Sequence, residues 1–72
     1  MKITYYPETD SLYIDLSEHP SAESVEISEG VVVDYDSQGN LVGIDIDNAS
    51  KKVELKRFTM SRLPAVEQTI EA

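Results

Sequence analysis

A mainly β (α+β) fold, an antiparallel β-meander of five to six strands with one short helix after the fifth, follows from three observations. Apolar and polar residues alternate at period two through most of the first 47 positions. Turn chemistry interrupts that alternation about every ten residues, the spacing of short strands joined by tight connections. After Asp47 the alternation stops, and Asn48 offers a helix start.

Each element can be justified in order. Ile3 and Tyr5 open the first strand. Leu12, Ile14 and Leu16 alternate with Tyr13, Asp15 and Ser17 in the second. Val25 and Ile27 alternate with Ser24, Glu26 and Ser28 in the third. Val31, Val33 and Tyr35 define the fourth, and Val42, Ile44 and Ile46 the fifth. Successive side chains of a strand point to opposite faces, so each strand has one apolar and one polar face. That is the pattern of an antiparallel sheet wet on one side.

The breaks are equally specific. Pro7-Glu8-Thr9-Asp10 separates the first two strands, with Pro fixing φ and Asp able to bond nearby backbone. His19-Pro20-Ser21-Ala22 is a longer loop. Glu29-Gly30 is a tight connection in which Gly is free to adopt positive φ. Ser37-Gln38-Gly39-Asn40 suits a four-residue hairpin loop. Asn48 is a good N-cap, and Ala49-Ser50-Lys51-Lys52 can follow as one or two helical turns. Beyond it, Phe58, Met60 and Arg62 alternate with Thr59, Ser61 and Leu63. A short helix followed by an extended segment is favoured over one continuous helix from Asn48 to Leu63, whose apolar stripe Lys56 would break. Pro64 ends whatever precedes it. Residues 1–66 form one β-rich domain, and residues 67–72 are expected to fray as an acidic tail.

Size sets the next constraint. A chain of 72 residues buries about 60% of the surface its unfolded form exposes. Its own core supplies only about 3–5 kcal/mol. With no Cys, neither disulfides nor thiolate metal sites can add to that. A single-faced sheet also needs a cover for its apolar side. A homo-oligomer, a dimer by expectation, answers both requirements.

Charge excludes several functions. Asp and Glu total 14 against 6 Lys and Arg, a net charge of −8. Such a field repels nucleic-acid phosphates and anionic lipid, so neither nucleic acid nor membrane is an expected partner. It favours a basic protein. The N-terminus lacks a signal-peptide apolar run and no membrane-length apolar stretch occurs, so a complete, cytoplasmic protein is expected.

Two constellations imitate chemistry. Counted from Asp34, carboxylates fall at loop positions 1 and 3, Gln38 at 5, Gly39 at 6 and Asp45 at 12. This resembles a calcium loop of the EF-hand type. Position 12 should however be Glu, and strand sequence stands where helices should flank it. A hairpin turn with acidic outward residues is the better reading, leaving no metal site and no cofactor. Asp34, Asp36, Asp45 and Asp47 then form a candidate acidic binding face opposite Val33 and Ile44, with weak divalent-cation binding as the alternative use. Tyr6 and Tyr13 point away from the apolar face as candidate interface aromatics. Tyr5 and Tyr35 fill the apolar side with their hydroxyls at its rim. His19, the sole histidine, lies in a loop without a positioned nucleophile, so no catalytic residue is assigned and the chain is read as a non-enzyme.

As a set, these residues resemble a known family. Tyr6-Pro7-Glu8-Thr9-Asp10-Ser11-Leu12-Tyr13-Ile14, then Gly30 to Asp36 with Gly39, then Val42 to Lys51, are similar to the DUF2283 family of small prokaryotic proteins of unknown function. The similarity spans about residues 3–63. Pro7 departs from it, since the family more often has Asp there. The resemblance implies a small β-rich fold in a bacterial or archaeal cytoplasm and supplies no catalytic residue. It also implies gene neighbours encoding small toxin-like proteins, which suits an antitoxin role. Joined to the acidic charge, the expected partner is a small basic protein, such as a toxin of RNase type. A structural homodimer with no separate ligand is the remaining alternative.

Overall fold

The computed structural model describes residues 1–59, 61 and, for the backbone alone, 69–71. Its strands are β1 (Lys2–Tyr6), β2 (Ser11–Asp15), β3 (Glu23–Ser28), β4 (Val31–Tyr35) and β5 (Leu41–Ile46), followed by helix α1 (Ala49–Lys52) and a sixth strand, β6 (Thr69–Glu71). The protein is mainly β, with five antiparallel strands in one sheet and one short helix after the fifth.

The sheet order is β3-β4-β5-β2-β1-β6. β3, β4 and β5 follow one another as a meander. β2 does not lie beside β3; it pairs with β5, so the β1–β2 hairpin joins the far side of the meander. The connection from β2 to β3 therefore runs along the end of the sheet. Backbone bonds hold it there: Leu16 N donates to Val42 O at 2.7 Å, and Ala22 N to Tyr35 O at 2.8 Å.

Register explains the alternation. Ile3, Ile14, Ile44, Val33 and Val25 stand opposite one another across five strands. Tyr5, Leu12, Ile46 and Val31 form the next apolar row. On the other face, Thr4, Tyr13, Asp45, Val32 and Glu26 make one row, and Asp15, Gly43, Asp34 and Ser24 another. Because the period is two, every residue of the first set shares a face and every residue of the second shares the opposite one.

Burial is modest. Among the described residues the buried hydrophobic side chains are Val33, Val42 and Ala49. A small single sheet cannot enclose its own apolar side, which is the reason Val25 stays exposed in the apolar row. Tyr6, Ile27, Leu41 and Phe58 are exposed as well.

Two expectations at the chain's end change. Thr69–Glu71, placed by sequence in a fraying tail, pair parallel with β1 through Lys2, Ile3 and Thr4. An open edge on β1 offers unpaired backbone groups that three residues can satisfy. Phe58 and Thr59, proposed to start a sixth strand, lie in irregular chain, and the rest of that segment falls outside the described residues apart from Ser61. Asn48 occupies the N-cap position of α1 but in a left-handed conformation, φ 52°, with no side-chain cap bond.

Candidate functional site

The polar face is organised around Asp34, in the middle of the β3–β4–β5 half. Tyr13 on β2 reaches across β5, and its hydroxyl donates to Asp34 Oδ2 at 2.7 Å. Ser24 on β3 donates to Asp34 Oδ1 at 2.6 Å. One carboxylate thus links strands on both sides of β4. The crossing is possible because residue 43, beneath the phenol, is glycine; a Cβ there would overlap the Tyr13 hydroxyl. A glycine in a strand interior commonly marks such a close approach. The Asp34 carboxylate, by accepting this bond, pushes the Tyr13 phenol up to about 12.

Asp45 neighbours this group. Burial, then a hydrogen bond and like charge from Asp47, then the charge of Asp34, raise its carboxyl above the usual range, with Lys52 acting in the opposite direction. Two carboxyls that close disfavour simultaneous ionisation. Asp47 also accepts a 3.4 Å bond from Ser11 Oγ.

Asp36 stands apart from the other three. It is 8% exposed and closes the β4–β5 hairpin. Its Oδ1 accepts the backbone N–H of Gln38 at 2.9 Å and of Asn40 at 2.8 Å. Those bonds, that of Asn40 first, hold its carboxyl below the ordinary value. His19 Nδ1 lies 3.3 Å from Asp36 Oδ2, tying the β2–β3 connection to this turn. Beside the pair, Pro20, Ser37 and Gln38 line an open hollow of about 150 Å³.

The apparent calcium loop is therefore a β-hairpin. Asp34 belongs to β4, Asp36 to the turn and Asp45 to β5, and the oxygens of Asp34 and Asp36 are committed to protein donors. Among the described residues, no three carboxylate or histidine side chains gather as a metal-holding group. No described helix is long and apolar enough to cross a membrane.

The sequence-derived candidates divide as follows. Asp34, Asp45 and Asp47 are brought into electrostatic contact; Asp36 is turned into its loop. Tyr6 is 49% exposed, whereas Tyr13 is half-buried and directed over Gly43 to Asp34. Tyr5 donates to Asp10 Oδ1 at 2.8 Å. Asp10, expected from sequence only to bond nearby backbone in its turn, reaches a distant element. From the β1–β2 turn, with φ 53°, it accepts bonds from Ser50 N at 3.1 Å and Ser50 Oγ at 2.7 Å. Its own carbonyl accepts Ala49 N at 2.8 Å. It is the true cap of α1, supplied from 40 positions away.

The class these features define is a small single-sheet β protein whose polar face carries a cross-strand network of carboxylates and hydroxyls. The family model for DUF2283, described as a protein of unknown function, matches residues 2–50, about two thirds of the chain, and this protein belongs to that family. No curated protein and no solved structure matches it.

Proposed function

We propose that this chain is a non-enzymatic protein-binding module whose anionic sheet surface holds a small basic protein. The observation carrying this reading is the segregation of charge. Of the 14 acidic residues, all but Glu54, Glu67 and Glu71 lie between positions 3 and 50, and no Lys or Arg falls in that span. Lys2, Lys51, Lys52, Lys56, Arg57 and Arg62 all lie outside it. The polar face of the β3–β4–β5 half of the sheet therefore presents Glu26, Asp34 and Asp45 without a cation from its own strands. Complementary charge steers encounter and sets partner choice. An antitoxin-like role in a prokaryotic cytoplasm, facing a small basic RNase-type toxin, is the specific form suggested by the family resemblance.

The divalent-cation alternative is weaker, since the Asp34 and Asp36 oxygens already have donors. The structural homodimer keeps one observation in its favour: Val25, Ile27, Tyr6 and Leu41 are exposed, and a second copy would cover some of that surface.

Affinity purification of the full chain from its cell of origin, followed by mass spectrometry, tests the reading. A basic protein recovered in stoichiometric amount and released by raised salt is expected. Recovery of no stable partner, with or without a self-associated chain, sinks it.

A further inference from the structure

The proposed binding reading leaves open where the partner sits and in what conformation; β3 supplies an answer. β3 ends the sheet, and among the described residues nothing pairs with its outer side. All six of its residues are exposed, including Val25 at 38% and Ile27 at 61%. An edge strand turns a row of unpaired N–H and C=O groups to the outside, a template for another strand. Natural edges are commonly guarded by Lys, by bulges or by a covering loop. Here a register shift lies between Glu26 and Ser28, and the charged residues are Glu23 and Glu26.

Those glutamates select the occupant. A twofold pairing of β3 with its own copy, in the register that sets Val25 against Ile27, also sets Glu26 directly against Glu26. Like charges opposite one another destabilise a strand pair. The register centred on Val25 instead places Glu23 against Ile27, a carboxylate within an apolar row. A second copy is thus disfavoured in both. A strand from another protein extends the sheet if it matches both faces. On one face it continues the row Val25, Val33, Ile44, Ile14, Ile3 with an apolar side chain. On the other it meets Glu26, one strand away from Val32 and two from Asp45, with Asp34 held nearby by Ser24.

We infer that β3 accepts an extended peptide segment of alternating apolar and Lys/Arg residues, added to the sheet as a further strand. Main-chain bonds supply affinity in such additions, and alternate side chains supply specificity. This inference rests on the protein-binding reading above.

The test uses the full chain, ¹⁵N-labelled, and three synthetic peptides: one alternating Val with Lys and Arg, one of the same composition with its order scrambled, and one alternating Val with Glu. The alternating basic peptide is expected to shift the amides of residues 23–28 and slow their hydrogen exchange, while the other two do neither. Glu26→Lys, a change on the exposed face that leaves the core intact, is expected to weaken basic-peptide binding about tenfold, the effect of roughly one close charge pair. Equal binding of scrambled and alternating peptides, shifts that map away from β3, or a β3-mediated dimer of the free chain would each overturn the inference. If the cellular partner is still captured by Glu26→Lys as well as by the parent chain, the edge is excluded while the binding module stands. If no partner exists at all, the broader reading falls on its own test.

Discussion

The phenol of Tyr13 lies directly over Gly43, and its hydroxyl reaches past that glycine to Asp34. This relationship spans three neighbouring strands and ties the β1–β2 hairpin to the meander. Gly43→Ala forces the ring from its place, and overpacking of this kind costs about 1–3 kcal/mol. Urea denaturation should show the loss. In the Tyr13→Ala background the same substitution should cost much less, because the two residues are in contact. Additive effects would disprove the coupling.

Tyr13 also makes stability depend on alkaline pH. Its folded value, about 12, lies above the ordinary phenol value because Asp34 accepts its proton-bearing oxygen's bond. A group raised on folding stabilises fully below its unfolded value and loses that contribution as pH rises through the folded one. The window is therefore about pH 10 to 12. Thermal melts across it should steepen for the parent chain and flatten for Tyr13→Phe. At neutral pH the Phe variant should lose about 1 kcal/mol.

At the acidic end the carboxyls of Asp10 and Asp36 act together. Asp10 is held below its ordinary value by the Ser50 hydroxyl first and the Tyr5 hydroxyl second. Asp36 is held down by backbone N–H groups. Depressed carboxyls stabilise above the unfolded value and lose that contribution as pH falls through the folded one. Melting temperature should hold level down to about pH 4 and decline below it. Asp10→Ala should lower it at neutral pH and speed hydrogen exchange at Ala49 and Ser50. Unchanged exchange there would refute the capping role.

Asp45 has the opposite sign. Its carboxyl is raised by burial and by Asp47, so its ionised form is a cost at neutral pH. Asp45→Asn keeps the hydrogen bond to Asp47 and removes the repulsion. Its melting temperature at pH 7 should exceed that of the parent by a few degrees, with the gap closing below about pH 4. A lower melting temperature at pH 7 would contradict the repulsion.

Strand positions were legible because alternation is local: Ile14, Ile44 and Val33 each declare their face without reference to a partner. The turn at Ser37–Asn40 was legible for the same reason. Strand order was not, because nothing in the pattern of β2 says whether it pairs with β3 or β5. The cap of α1 escaped because Asp10 and Ser50 meet only after the sheet assembles. Asn48, the local candidate, takes the position without forming the bond. Of the four acidic candidates, sequence spacing placed Asp34 and Asp45 on one face correctly. It could not foresee that backbone donors would draw Asp36 into its own turn.

The pairing of β2 with β5 also bears on how the chain assembles. The β1–β2 and β3–β4–β5 segments each zip through tight connections, a fast and local process. The seam that joins Leu12 to Ile46 and Asp15 to Gly43 closes a long intervening loop, and such contacts are entropically late. During synthesis the N-terminal hairpin must therefore wait, the backbone edge of β2 unpaired, until the fifth strand has left the ribosome.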